Sequence, residues 1–367
     1  MKQTVFMEQK IVDCFSEIEK KVTINRLFIV CGKNCKRLQF INEIEKLPMD
    51  KVWFDAFEPN PKYESVVKGV KEFQDSQCDA ILAIGGGSAM DVAKCIKLYA
   101  TMDEKENFLQ QEIKENTIPL LAIPTTAGTG SEATRFAVIY YEGEKQSVTH
   151  DSIVPEYVFL YPEILNHLSD YQKRATMMDA FCHAIESFWS VNSTKESKEY
   201  SKEAITLIME NMFLYLDGET EATKKILLAA NIAGKAINIT QTTAGHAMCY
   251  KLTSLYGISH GHAAILCVEK LWNYMIEHLE DCLDKRGKDY LQQTFLELAQ
   301  LFGCASSEEA CEKLHQIMVI LELFVLEDKK EDIEILVHSV NETRLKNHPI
   351  LLNEIAIRTL YQEILRG

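Results

Sequence analysis

The sequence predicts an α/β amino-terminal domain, residues 1–164, followed by an all-α carboxy-terminal domain, residues 165–367. Three observations carry this expectation. Short apolar runs that end in glycine, proline or hydroxyl residues recur up to Tyr161. From about Leu165 the apolar spacing is helical almost to Arg366. A chain of 367 residues also exceeds what one hydrophobic core usually serves, so two domains of roughly 150 residues each are expected.

In chain order, Leu27-Phe28-Ile29-Val30, within Arg26 to Cys31, reads as a buried parallel strand that ends at Gly32. Lys33, Lys36 and Arg37 follow it. Val52 to Phe57 is a second strand, closed by Glu58-Pro59-Asn60-Pro61, where two prolines force an extended turn. Ser65 to Asp75 has helical periodicity. The third strand, Ala80 to Ile84, runs into Gly85-Gly86-Gly87-Ser88-Ala89-Met90-Asp91 and then a helix over Val92 to Ala100. Glycines let backbone N–H groups approach an anion, and a helix amino terminus adds partial positive charge, so the order strand, glycines, helix fits a phosphate. It is not the dinucleotide Gly-x-Gly-x-x-Gly spacing, and a tight turn needed only for packing is the alternative.

Leu120 to Ile123 is the next strand, and Pro124-Thr125-Thr126-Ala127-Gly128-Thr129-Gly130-Ser131-Glu132 is a loop able to wrap a ribose and a nicotinamide amide. Ligands sit at the carboxyl ends of strands in open α/β sheets, which favours a binding loop over a passive one. Arg135 to Tyr141 and Ser147 to His150 form a hairpin around Glu142-Gly143-Glu144, with Lys145 on its far side. Tyr157 to Tyr161 is the last strand. Helices follow over Glu203 to Leu216, Thr223 to Ile239, Tyr290 to Phe302, Glu308 to Val325 and Asn353 to Leu365.

Within the helical half, Asp179 and His183 stand at i and i+4, one turn apart on one helix face. His246 lies in a second helical pattern, and His260 beside Gly261 in a loop. One carboxylate with three imidazoles suits a borderline divalent ion, since imidazole favours Zn, Fe, Ni or Cu while all-oxygen sites favour Mg or Ca, and the set accepts either Fe(II) or Zn(II). The alternative is an ordinary helix-face pair with two histidines that satisfy local hydrogen bonds. Glu186, one turn beyond His183, is either an outer partner or a competing ligand, and His262 is a neighbour rather than a ligand.

Composition limits the partners. The 47% apolar content is that of a globular protein, and a net charge of −15 opposes a nucleic-acid or anionic-membrane surface. The longest apolar run, Ile317 to Leu326, is broken by Glu322 and is far short of the ~20 residues that span a bilayer. Eleven cysteines without paired spacing, and an amino terminus carrying Lys2, Glu8 and Lys10 in place of an apolar signal core, predict a reducing cytoplasm. A homodimer or higher homo-oligomer is expected from the prevalence of symmetric assemblies.

Taken in order, Asn60-Pro61, Gly85-Gly86-Gly87-Ser88 with Asp91, Pro124 to Glu132, and Asp179-x-x-x-His183 with His246 and His260 resemble the iron-containing (group III) alcohol dehydrogenase family over nearly the whole chain. The resemblance implies a dehydroquinate synthase-like fold: a dinucleotide-binding α/β domain, an all-helical metal-binding domain, and a metal and nicotinamide site in the cleft between them. It implies Asp179, His183, His246 and His260 as metal ligands, and Gly86, Gly87 and Ser88 as a pyrophosphate cradle. Thr125, Thr126 and Thr129 take the nicotinamide side, with Asn60 and Lys145 as further cofactor contacts.

Two departures from the family pattern are informative. Where the family often carries an acid that binds the adenosine ribose hydroxyls, this chain has Gly32, so NADPH is expected to be accepted alongside NADH, its 2′-phosphate met by Lys33, Lys36 or Arg37. Where many members have a histidine near the substrate, this chain has Tyr250, a candidate proton donor or a packing residue against the nicotinamide. The stretch Gly245 to His262 resembles the branch that reduces phosphonoacetaldehyde to 2-hydroxyethylphosphonate. Arg135 after the hydroxyl-rich loop and Lys251 after Tyr250 are the candidate clamp for a small anionic aldehyde. A general short-chain alcohol dehydrogenase, a metal-dependent lyase of the dehydroquinate synthase type and a noncatalytic metal-binding scaffold are the alternatives.

Overall fold

The computed structural model describes residues 3–33, 35–38, 40–324, 332–340 and 345–366. Val325 and Leu326, at the ends of a predicted helix and a predicted apolar run, lie outside the described residues, as does the side chain of Lys36. The chain divides into two compact units, residues 1–126 with 130–167, and residues 127–129 with 168–367.

The first unit is built on eight strands: β1 Thr4–Met7, β2 Arg26–Cys31, β3 Asp50–Phe54, β4 Ala80–Gly85, β5 Leu120–Pro124, β6 Phe136–Tyr141, β7 Glu144–Thr149 and β8 Tyr157–Leu160. Six of them form an all-parallel sheet in the order β1-β8-β5-β4-β2-β3. Both faces must then be covered, which explains why β4 and β5 are apolar throughout instead of alternating. On one face Leu27, Ile29 and Cys31 of β2 join a core with Ile11, Cys14, Phe15 and Ile18 of helix α1 (Ile11–Glu19) and Ile41 and Ile44 of α2 (Ile41–Glu45). On the other face Phe28 meets Phe73 of α3 (Tyr63–Asp75) edge-on at 5.5 Å. Helix α4, Gly87–Tyr99, follows β4 directly.

Strands β6 and β7 pair as a separate antiparallel hairpin. Its turn is the two residues Glu142 and Gly143, both with positive φ, the geometry whose twist matches two-residue hairpins. The second strand therefore begins at Glu144, three residues earlier than the sequence pattern placed it.

The second unit is helical: α5 Asp170–Trp189, α6 Lys195–Leu216, α7 Thr220–Thr240, α8 Ala244–Tyr256, α9 His260–Glu277, α10 Lys288–Leu301, α11 Ser307–Ile320, α12 Ile333–His338 and a last helix, Glu354–Arg366. Every residue of α5 from Met177 to Trp189 is buried, so this stretch of the helix has no solvent face and runs through the unit's interior. Its start is set by Ser169, whose hydroxyl accepts from the Gln172 N–H, and α6 opens with a reciprocal Thr194–Ser197 capping box. Among the described residues no helix is long and apolar enough to cross a membrane. All eleven cysteines are free thiols.

Candidate metal centre and cofactor site

The helical unit places Asp179 and His183 in the buried stretch of α5, His246 in the first turn of α8 and His260 at the first position of α9. The expectation of a loop at His260 is corrected here. Gly257, in the left-handed conformation, ends α8, and extended Ser259 starts α9, so the break between two helices is only three residues long. Gly261 permits this approach. A Cβ there would lie 2.0 Å from the Ala175 carbonyl oxygen and 2.6 Å from the Asp179 Cβ, so α9 begins hard against α5.

One ligand atom each from Asp179, His246 and His260 falls within 4.8 Å of the others. Asp179 Oδ1 faces both imidazoles, at 3.4 Å from His246 Nε2 and 4.0 Å from His260 Nε2. His183 lies outside this three-atom group, but its ring stacks on that of His246 with centroids 4.4 Å apart. Its Nδ1 is buried with no hydrogen-bond partner, an orphaned donor-acceptor atom beside the cluster. A divalent ion fits this donor set: one carboxylate, two convergent imidazoles, and a third with an unused nitrogen.

The electrostatics keep Asp179 ionised and His183 neutral. Burial alone would raise the Asp179 carboxyl, but the surrounding His183, His246 and His260 outweigh it and hold the group well below the usual carboxylate range. Burial pulls His183 down to about 4, which leaves it neutral and ligand-ready. His246 is raised to about 9 against the effect of burial, because Glu186 and Asp179 flank its two nitrogens.

Tyr250 stacks on His260, ring centroids 5.2 Å apart, so the residue read as a proton donor or packing group touches a candidate ligand. Lys251 is half-buried one residue further on. Sequence reasoning passed over Cys249, whose buried sulfur is 3.6 Å from His260 Nδ1. His262 is buried too, and the Tyr171 hydroxyl, which accepts from the Ser259 N–H, lies 3.1 Å from its Nδ1. Those contacts brace the start of α9.

In the first unit the carboxyl ends of β2 and β4 are neighbours, with Cys31 opposite Ile84, so Gly32 and Gly85 come together. The strand order changes direction there: β3 lies on one side and β5 on the other, the switch point where open α/β sheets bind ligands. Gly86 caps α4, whose first turn carries no acidic residue, so the N–H groups around Gly87 and Ser88 form a positive helix end that no carboxylate of that turn offsets. A Cβ on Gly86 would sit 3.5 Å from Thr126 Oγ1, so cradle and hydroxyl loop lie against each other. The Thr125 N–H donates to the Gly85 carbonyl at 3.1 Å. Asn60 adopts a left-handed φ of 56° in the turn after β3. Lys145 pairs with Tyr140 in the hairpin.

Thr129 belongs to the helical unit, where neighbouring Gly128 packs on the backbone of Thr176 in α5. Arg135 donates to Asp151 Oδ1 at 3.0 Å. Lys33 is exposed and paired with Glu58 at 2.8 Å, and Arg37 is exposed. A residue the sequence reading missed is Lys94, fully buried in α4. Its ammonium donates to the Ser131 carbonyl at 2.6 Å, the Phe136 carbonyl at 2.7 Å and the Thr134 hydroxyl at 3.1 Å, tying the end of the hydroxyl loop to the cradle helix. Its signal was a lysine on the apolar face of a helix, which demands buried acceptors.

The family model described as iron-containing alcohol dehydrogenase matches residues 2–162, and that of the Fe-containing alcohol dehydrogenase carboxy-terminal region matches residues 173–365. The phosphonoacetaldehyde reductase of Streptomyces viridochromogenes is 32% identical over 256 residues, 65% of this chain and 64% of that protein. The aldehyde-alcohol dehydrogenase 2 of Entamoeba histolytica is 28% identical over 84% of this chain, which spans only 39% of that protein's length. The solved structure of an iron-containing alcohol dehydrogenase from Thermotoga maritima superposes with a TM-score of 0.84 at 28% identity, covering 100% of this chain and 98% of that one.

Proposed function

This chain belongs to the iron-containing alcohol dehydrogenase family, and from that premise we propose that it is a metal-dependent, NAD(P)H-linked aldehyde reductase that converts phosphonoacetaldehyde to 2-hydroxyethylphosphonate. The observation that carries the reading is the convergence of Asp179, His246 and His260 donor atoms within 4.8 Å, beside the orphaned nitrogen of His183. These four residues would hold Fe(II) or Zn(II), and an ion there supplies Lewis-acid polarisation of the substrate oxygen. The reduced nicotinamide supplies the hydride.

The chain's own residues do the rest. Gly86, Gly87 and Ser88 bind the pyrophosphate through backbone N–H groups, and Thr125, Thr126 and Thr129 orient the nicotinamide. Asn60 and Lys145 add cofactor contacts. Tyr250, stacked on His260, delivers a proton through its hydroxyl as the alcohol forms. Arg135 and Lys251 bind the phosphonate, Arg135 exchanging its contact with Asp151 for the substrate. The likeness to a phosphonoacetaldehyde reductase supports that substrate. The absence of an acid at Gly32 supports use of NADPH as well as NADH. A homodimer in a reducing cytoplasm is part of the same proposal.

The test is an aldehyde panel assayed with NADH and NADPH after reconstitution with Fe(II) or Zn(II). Net oxidation of the nicotinamide with phosphonoacetaldehyde, abolished by chelation, is the expected result. Turnover without net cofactor consumption would move the chain to the lyase reading. Faster reduction of neutral aldehydes than of phosphonoacetaldehyde would make it a general alcohol dehydrogenase.

A further inference from the structure

Glu186 is fully buried on α5, and both of its carboxylate oxygens are engaged on α8. Oε1 accepts from the Thr243 N–H at 2.9 Å, the Thr243 hydroxyl at 2.7 Å and the His246 N–H at 3.2 Å. These are the N-cap and first-turn donors that a helix leaves without intrahelical partners, so a side chain from another helix caps α8. The Thr243 hydroxyl in turn accepts from the Trp189 indole N–H at 3.0 Å. Oε2 is hydrogen bonded to His246 Nδ1. Gly245 makes room for the carboxylate, since a Cβ there would lie 3.0 Å from its Cδ and Oε1.

We propose that Glu186 is a positioning residue that divides its two oxygens between tasks, one capping α8 and the other fixing the His246 tautomer so that Nε2 is free to take the metal. The inference rests on the metal reading above. A carboxylate only accepts, so the proton it meets must sit on Nδ1; Nε2, 3.4 Å from Asp179 Oδ1, is then the nitrogen that gives up its proton when the metal binds. Metal-ligating histidines are held by such partners, whose loss typically costs about 10- to 100-fold in metal affinity.

The separation of tasks gives a sharp test in Glu186→Gln. The three donors around Oε1 force the glutamine carbonyl oxygen into that position, because an amide NH2 there would face N–H groups. The NH2 must then occupy the Oε2 position and donate to Nδ1, which puts the imidazole proton on Nε2 and blocks the metal. Zn(II) binding to the full chain would be measured by competition with a chromophoric chelator, alongside melting of the metal-free proteins.

Wild type that binds Zn(II) and a folded E186Q that binds it roughly 10- to 100-fold more weakly, at a similar metal-free melting temperature, is the expected result. Equal affinity in E186Q overturns the proposal while leaving the metal reading intact, and an E186Q that does not fold overturns the division of roles. Absence of Zn(II) and Fe(II) binding by wild type sinks the metal reading itself. In 15N-imidazole spectra of the Zn(II)-loaded wild type, the His246 Nδ1 must carry a proton; a bare Nδ1 would refute the assignment without any substitution.

Discussion

His246 Nε2 lies 3.4 Å from Asp179 Oδ1, two buried groups delivered by different helices. A carboxylate held among imidazoles in the protein interior is where a small cation gains most, because its charge replaces protons the site would otherwise need. Asp179→Asn keeps the shape and removes the charge. Bound metal should fall by more than the ~10- to 100-fold typical of losing an outer partner, and turnover should fall with it. Metal content by elemental analysis, set against kcat, is the measurement.

Gly261→Ala should injure fold and site together. The added methyl meets backbone at the Ala175 carbonyl and at Asp179, neither of which can rotate away. Overpacking of this kind costs about 1–3 kcal/mol, and the displaced start of α9 carries His260 with it. A lower melting temperature together with weaker Zn(II) binding is expected, and an unchanged melt would contradict the packing argument.

At Gly32 an added Cβ meets nothing within 4 Å, so Gly32→Asp can enter without strain. An aspartate there accepts the ribose hydroxyls of NADH and repels the 2′-phosphate of NADPH. With charged hydrogen bonds at about 1.5–3 kcal/mol, the NADPH to NADH ratio of kcat/KM should drop roughly tenfold or more. An unchanged ratio removes the role given to this position.

Tyr250→Phe preserves the stack on His260 and deletes only the hydroxyl. General acids contribute about 10²- to 10⁴-fold, so kcat should fall toward that range while Zn(II) affinity stays constant. A full rate would reduce Tyr250 to a packing residue.

Arg135→Ala and Lys251→Ala should each lower kcat/KM for phosphonoacetaldehyde by about ten- to a hundredfold, the equivalent of ~1.5–3 kcal/mol per charge-assisted contact. Propanal, which carries no anion, should be spared. Equal losses on both aldehydes would remove the case for an anionic substrate.

The parallel strands were legible because each is an apolar run ended by glycine, proline or threonine, as in Ala80 to Gly85. Strand β1 was not, since four residues at the sheet edge acquire meaning only by pairing with β8, about 150 residues later. Helix α1 is only nine residues long, and its apolar spacing at Ile11, Cys14, Phe15 and Ile18 is a weak signal over so short a span. At His260 the adjacent glycine masked the Gly257 and Ser259 signals that end one helix and begin the next. The i, i+4 spacing of Asp179 and His183 was visible locally, yet the structure clusters Asp179 with His246 and His260, a choice made by helix packing. Glu186 stands one turn past His183, but its partners are Thr243 and His246, far along the chain, where periodicity carries no information.

The donors Asp179, His246 and His260 come from three helices, α5, α8 and α9, and in an unfolded chain they are scattered. An ion held by all of them therefore binds the native state and almost nothing else, which makes metal concentration a thermodynamic variable of folding. By mass action, free metal at a hundred times its dissociation constant adds about 2.7 kcal/mol to the native state. Melting curves taken with and without chelator then measure occupancy of the site, and the melting temperature is expected to rise with metal concentration.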